Sequence, residues 1–137
     1  MTTFNERIIA EFRANDGMVG GDLSGMHLIL MHHTGRTTGL RRVTPVAYIR
    51  DGDDYVVCGS NAGGEKDPAW VANLAAMPET TIEVGDRILE VAPSVVTDPA
   101  ERARLYAEVK RAYPGALDGY EEMTSRPFPL VRFTPAG

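Results

Sequence analysis

Two glycine-centred turn signals, Arg50-Asp51-Gly52-Asp53 and Gly85-Asp86, lie between short apolar runs and restrict the chain to antiparallel hairpins. Such pairs supply the positive φ of a tight β turn, and a strand-turn-strand unit leaves its two strands side by side. Around them the pattern predicts six strands: Met26 to His33, Val43 to Arg50, Tyr55 to Ser60, Thr80 to Val84, Arg87 to Val96 and Pro129 to Phe133. Three helices complete the outline. Phe4, Ile8, Ile9 and Phe12 recur at helical spacing between Asn5 and Ala14. Pro68 to Met77 and Pro99 to Tyr113 both open on Asp-Pro-Ala, an N-cap with proline at the first helical position, and Glu101 stands where a capping box needs it. Met18 to Gly25 reads as a flexible, glycine-rich link. With 137 residues, 43% of them hydrophobic, the expectation is one domain over residues 1–137, α+β in class and mainly β in body.

The connection between the first two strands is His33-Thr34-Gly35-Arg36-Thr37-Thr38-Gly39-Leu40-Arg41-Arg42. Gly35 and Gly39 can take φ > 0 and admit a ligand close to the backbone. Thr34, Thr37 and Thr38 offer hydroxyls, and Arg36, Arg41 and Arg42 offer fixed-charge forks, so the loop has the parts of a phosphate site. No Asp or Glu occurs from Leu23 to Arg50, although the chain holds 19 acids; an even spread would place about four there. A solvated hairpin whose polar residues only turn the chain is the plainer reading of the same loop.

A second polar loop, Gly59-Ser60-Asn61-Ala62-Gly63-Gly64-Glu65-Lys66-Asp67-Pro68-Ala69-Trp70, runs from a strand end into a helix start. Ser60, Asn61 and the Gly63-Gly64 pair present hydrogen-bonding groups, and Lys66 brings a cation near the helix N-terminus. Trp70, the single tryptophan, falls in the first turn. The alternative is a capped helix with Trp70 in the core.

The net charge of −5 argues against nucleic acid or an anionic membrane as the main partner and makes the basic stretch a local feature. The first helix mixes Glu6, Arg7, Glu11 and Arg13 on its polar face, whereas a membrane-surface helix is rich in Lys and Arg, so docking on the protein's own body is expected. Cys58 is the only cysteine, which fits a reducing cytoplasm and a small core residue. His32 and His33 are adjacent on a strand and face opposite ways, so no metal site is expected.

Taken together the two loops resemble a family, the deazaflavin-dependent nitroreductases and quinone reductases that use coenzyme F420. The resemblance covers nearly the whole chain. It rests on Thr34-Gly35-Arg36 with Gly39 and Arg41 or Arg42, on Thr44-Pro45 and Tyr48, and on Asp51-Gly52. It continues through Ser60-Asn61, Gly63-Gly64, Lys66, Pro68-Ala69-Trp70, Asn73-Leu74 and Pro78 to Tyr113-Pro114-Gly115 and Thr124-Ser125-Arg126. It implies a six-stranded antiparallel split β-barrel with an N-terminal helix and two flanking helices. It also implies an F420 cofactor whose phosphate and oligoglutamate tail lie on the basic loop and whose ring lies near Ser60 to Lys66. On that basis the expected cofactor contacts are His33 to Gly39, Arg41, Arg42, Thr44, Pro45, Ser60, Asn61, Gly63, Gly64, Lys66, Trp70 and Asn73, with His33 helping to hold phosphate or donating a proton.

The reaction implied is hydride transfer from reduced F420 to a small-molecule acceptor: a quinone, a nitroaromatic or an activated alkene. Tyr113 ends the long helix, and an irregular crossing through Tyr120 follows; both are expected to wall the acceptor site and to orient or protonate the acceptor. Tyr113 in the core and Tyr120 at the surface is the competing reading. An FMN-dependent split-barrel reductase and a non-catalytic carrier of F420 or a lipophilic ligand are the alternatives. A homodimer is compatible with all three.

Overall fold

The computed structural model describes residues 3–21 and 25–136; of the expected glycine-rich link, residues 22–24 lie outside that range. Helix α1 (Phe4–Ala14) begins where the Thr3 hydroxyl accepts the Glu6 N–H at 3.1 Å, satisfying one of the donors a helix start leaves over. It is followed by β1 (Leu28–Thr34), β2 (Arg41–Asp51) and β3 (Asp54–Cys58). A crossover then carries one 3-10 turn (Asn61–Gly63) and α2 (Ala69–Ala75) to β4 (Thr80–Val84) and β5 (Arg87–Val95). A second crossover carries α3 (Pro99–Ala112) and α4 (Asp118–Met123) to β6 (Leu130–Pro135).

The six strands close into a barrel in the order β1-β2-β3-β6-β5-β4, every pairing antiparallel. Successive strands are neighbours except β3 and β4, which α2 separates. The unbroken apolar run Leu28 to Met31 has a direct cause: β1 is buried on both faces. Ile29 and Met31 join the barrel interior with Tyr55, Val57, Leu74, Ile82 and Phe133. Leu28 and Leu30 pack outward against Ile8 and Phe12 of α1. Burying a side chain like Phe12 contributes about 1.5–3 kcal/mol, and Arg13 adds a two-pronged bond to Glu83 at 3.0 and 2.7 Å. The first helix therefore docks on the barrel, as its mixed charge predicts. A third cluster holds α3 against the outer face of β2, β3 and β6, through Leu105, Val109, Ile49, Val56 and Leu130.

Several local expectations differ from the structure. Asp67 does not cap α2: Pro68 occupies the cap position without a side-chain bond, and the Asp67 carboxylate pairs with Arg126. Asp98 does cap α3, accepting the Glu101 N–H at 2.9 Å, but the Glu101 carboxylate turns to Arg132 instead of closing a capping box. The segment after Tyr113 is not irregular throughout, since α4 forms there. Gly39 has φ 70°, as a tight turn requires, whereas Gly35 is not in the left-handed region; it is needed for space, because a Cβ there would run into the Thr38 hydroxyl.

Candidate functional site

The two polar loops converge. Between the β1–β2 hairpin tip and the start of α2 lies a cleft of about 520 Å³, lined by His33, Gly35, Arg36, Thr37, Thr38, Arg42, Thr44, Asn61, Asp67, Pro68, Ala69, Trp70 and Asn73. Thus His33, Gly35, Arg36, Thr37, Thr38, Arg42, Thr44, Asn61, Trp70 and Asn73, all expected at the cofactor, share one depression. Its acid, Asp67, is neutralised by Arg126. Trp70 satisfies both readings at once, being only 8% exposed within the barrel core while one edge lines the cleft.

Other expected residues are placed elsewhere, and strand geometry explains most of them. Side chains alternate along β2, so Arg42 enters the cleft while Arg41 turns to the far side and donates to His32 Nδ1 at 2.9 Å. His32 in turn bonds Glu83 at 2.7 Å, forming a cluster with Arg13. Thr34 lies with Arg41 and His32. Gly39 is a turn residue, donating to the Gly35 carbonyl at 2.8 Å. Pro45 is opposite Leu30 in the stretch of β2 that only β1 pairs, an edge where a missing N–H is tolerated. Lys66 is exposed and outside the cleft lining; its carbonyl accepts from Asn61 Nδ2 at 3.0 Å. Helix α2 has seven residues, so the cation expected at its start has little aligned dipole to act with.

His33 differs from expectation in a useful way. It is buried, and both ring nitrogens are engaged within the protein: Nε2 with the Thr44 hydroxyl at 2.9 Å, Nδ1 with the Asn73 amide nitrogen at 3.0 Å. It holds the site's walls and does not itself present a free donor. Burial, then the nearby Arg42 and His32, keeps its pKa below the ordinary value, so the ring is neutral near pH 7.

The second loop is strained and pinned. Asn61 and Ala62 adopt left-handed φ of 48° and 52°, a conformation that persists only when surroundings enforce it. Arg126 supplies that enforcement: its guanidinium donates to the carbonyls of Gly59 at 3.2 Å, Ser60 at 2.8 Å and Gly64 at 3.1 Å, besides pairing with Asp67. Five donors in a rigid fork suit that task. The resemblance included Arg126 as a motif residue, but no sequence pattern revealed that it spans from the last strand's approach to this loop. Gly63, at φ 78°, touches α4, where a Cβ would come within 3.0 Å of the Tyr120 backbone.

On the other side of that loop is a smaller apolar pocket of about 210 Å³, bordered by Val46, Ala47, Tyr48, Cys58, Ser60, Val109, Tyr113, Leu117 and Tyr120. Ser60 faces this pocket and Asn61 the basic cleft. Along β2 the same order holds: Arg42 and Thr44 line the cleft, Val46 to Tyr48 the pocket. The two expected tyrosines both wall the pocket. The Tyr113 hydroxyl donates to the Tyr48 carbonyl at 2.7 Å and its pKa is raised, chiefly by burial, which removes it as a ready proton source. Tyr120 is more exposed. Burial pushes the Cys58 thiol up to about 12, so it is an inert lining group.

The donor set suits the anionic part of F420. Two guanidinium groups, threonine hydroxyls and two asparagines surround the cleft, while its one carboxylate is already paired; a phosphate and a chain of carboxylates would meet donors on most sides.

Comparison with known proteins agrees with this geometry. The model of the F420H(2)-dependent quinone reductase family matches residues 6–135. An F420H(2)-dependent quinone reductase of Mycobacterium tuberculosis is 35% identical over 128 residues, covering 91% of this chain and 85% of that protein. The solved F420-H2 dependent reductase FDR-A superposes with a TM-score of 0.67 at 25% identity, over 77% of this chain and 92% of its own. A structure described as a domain-swapped dimer gives 0.70 at 25% identity, over 91% and 90%. The chain thus belongs to the F420H(2)-dependent quinone reductase family, oxidoreductases built on a split β-barrel with F420 as cofactor.

Proposed function

We propose that this enzyme reduces quinones, and with them nitroaromatics and activated alkenes, by hydride transfer in the apolar pocket beside Ser60. The carrying observation is that successive stretches of β2 line a cationic cleft and an apolar pocket, and that the adjacent Ser60 and Asn61 of one loop line one each. Reduced F420, when bound, supplies two electrons as a hydride. Arg36 and Arg42 hold its phosphate and tail, Thr44 and Asn61 add hydrogen bonds, and Trp70 bounds the cleft floor. Val46, Tyr48, Val109 and Leu117 exclude water from the acceptor, and water exclusion together with alignment is what a direct hydride transfer requires. Tyr113 braces the pocket wall through the Tyr48 carbonyl, and Tyr120 orients the acceptor and delivers the proton that completes its reduction. Pairing of two copies is supported by the neighbour described as a domain-swapped dimer, and sedimentation would read it directly.

The purified protein should bind F420, with a change in Trp70 fluorescence, and should oxidise reduced F420 when a quinone is added. FMN should do neither. Tight F420 binding without quinone turnover would favour a carrier; turnover with FMN instead would move the protein to the flavin-dependent branch of the fold.

A further inference from the structure

Behind the cleft the polar groups form a single line whose direction is forced by what each atom can do. The Arg36 N–H donates to Asn73 Oδ1 at 3.2 Å, which orients the amide and leaves Nδ2 facing His33 Nδ1 at 3.0 Å. An amide nitrogen only donates, so Nδ1 must carry the lone pair and the ring's single proton must sit on Nε2. Nε2 then donates to the Thr44 hydroxyl oxygen at 2.9 Å. Having accepted there, the Thr44 hydroxyl keeps its own hydrogen to give, and its side chain lines the cleft beside Arg36 and Arg42.

The reverse arrangements are penalised. Flipping Asn73 sets its NH₂ against the Arg36 N–H, and moving the ring proton to Nδ1 sets N–H against NH₂. His33 is 3% exposed and Asn73 6%, so water has little room to relieve the clash between ring and amide, and a buried mismatched donor is disfavoured. The buried ring beside Arg42 also resists taking a second proton.

We propose that His33 is a positioning residue that fills one lone pair of the Thr44 hydroxyl and so leaves its hydrogen to be given into the cleft, where an acceptor oxygen such as a phosphate's meets it. This rests on the cleft being the F420 site. The same line ties that donor to the Arg36 backbone, so the hairpin tip and the hydroxyl are set together.

The test has two independent readings. In the 15N-labelled parent protein near neutral pH, with the signal assigned through His33→Gln, the His33 ring should show a protonated Nε2 and a bare Nδ1, with or without F420. A protonated Nδ1, or a doubly protonated ring, would overturn the proposal whether or not F420 binds. In F420 titrations Thr44→Ser should stay within about twofold of the parent, and Thr44→Val should bind about tenfold or more weakly, the loss of one charge-assisted bond. His33→Ala should weaken binding alone yet add nothing on the Thr44→Val background, because it acts through that hydroxyl. Parent-like binding by Thr44→Val, or additive losses in the double variant, would refute it. If Thr44→Val does not fold, the ring signal and Thr44→Ser decide. A parent protein that shows the Nε2 proton but binds no F420 would overturn the ligand assignment, and with it the cofactor reading of the cleft.

Discussion

Arg41 and Arg42 are adjacent in the chain and have opposite surroundings, one bonded to His32 and the other lining the cleft. Arg42→Ala and Arg36→Ala should each weaken F420 binding by about ten- to a hundredfold, whereas Arg41→Ala should change it by no more than about twofold, the scale of an exposed pair. Fluorescence titration at moderate salt separates these outcomes; equal losses at all three positions would mean general attraction and no specific contact. His33 carries a second consequence. Its pKa lies below the ordinary 6.5 in the folded protein, so the unfolded chain takes up a proton that the folded one refuses. The stability this contributes is complete above that ordinary value and is lost progressively as pH falls below it, toward the folded value. Melting temperature should therefore decline from about pH 7.5 to about pH 5.5, and His33→Gln should flatten that slope.

The crossover from β3 to α2 depends on a side chain distant in sequence. Removing the Arg126 guanidinium takes its bonds from the carbonyls of Gly59, Ser60 and Gly64, of which Ser60 keeps the Gly63 N–H at 2.9 Å, and an uncompensated buried acceptor such as that of Gly59 costs about 1–3 kcal/mol. Arg126→Ala should lower the melting temperature, speed amide exchange across residues 59–67 and weaken cofactor binding. Lys should not rescue it, since one ammonium cannot reach three carbonyls arranged for a planar fork. The left-handed backbone at Asn61 and Ala62 is the same dependence seen from the other end: local propensity opposes it, and the tertiary clasp holds it.

Taken as one body, the barrel has its charged and apolar depressions side by side along β2, under separate control. Tyr120→Phe should lower turnover about 100-fold while leaving F420 affinity unchanged, the mark of a lost proton donor. Tyr113→Phe should leave turnover near the parent's and reduce stability by about 1 kcal/mol, the usual worth of one hydrogen bond. Full activity in Tyr120→Phe would transfer the proton step to solvent. Rising salt should weaken cofactor binding far more than it alters the acceptor's KM, because the cleft is cationic and the pocket is not.

The strands, the hairpin turns, the docking helix and the basic loop were legible in the residues, because each is a local matter. Alternation, φ > 0 at Gly39 and Gly52, and the apolar stripe of α1 act within a few positions of one another. The resemblance added the barrel and the cofactor, and most of the residues it pointed to do meet in one cleft. What sequence could not supply was the orientation of side chains after burial: which of two adjacent arginines faces the ligand, that Asp67 abandons a cap for Arg126, that Glu101 turns from its own helix to Arg132. Those choices compare a short-range bond with one formed 31 or 59 positions away. The closed barrel brings the distant partner within reach, and the guanidinium met there is itself largely buried, at 13% for Arg126 and 16% for Arg132, so it needs the carboxylate more than the neutral N–H of a helix start does.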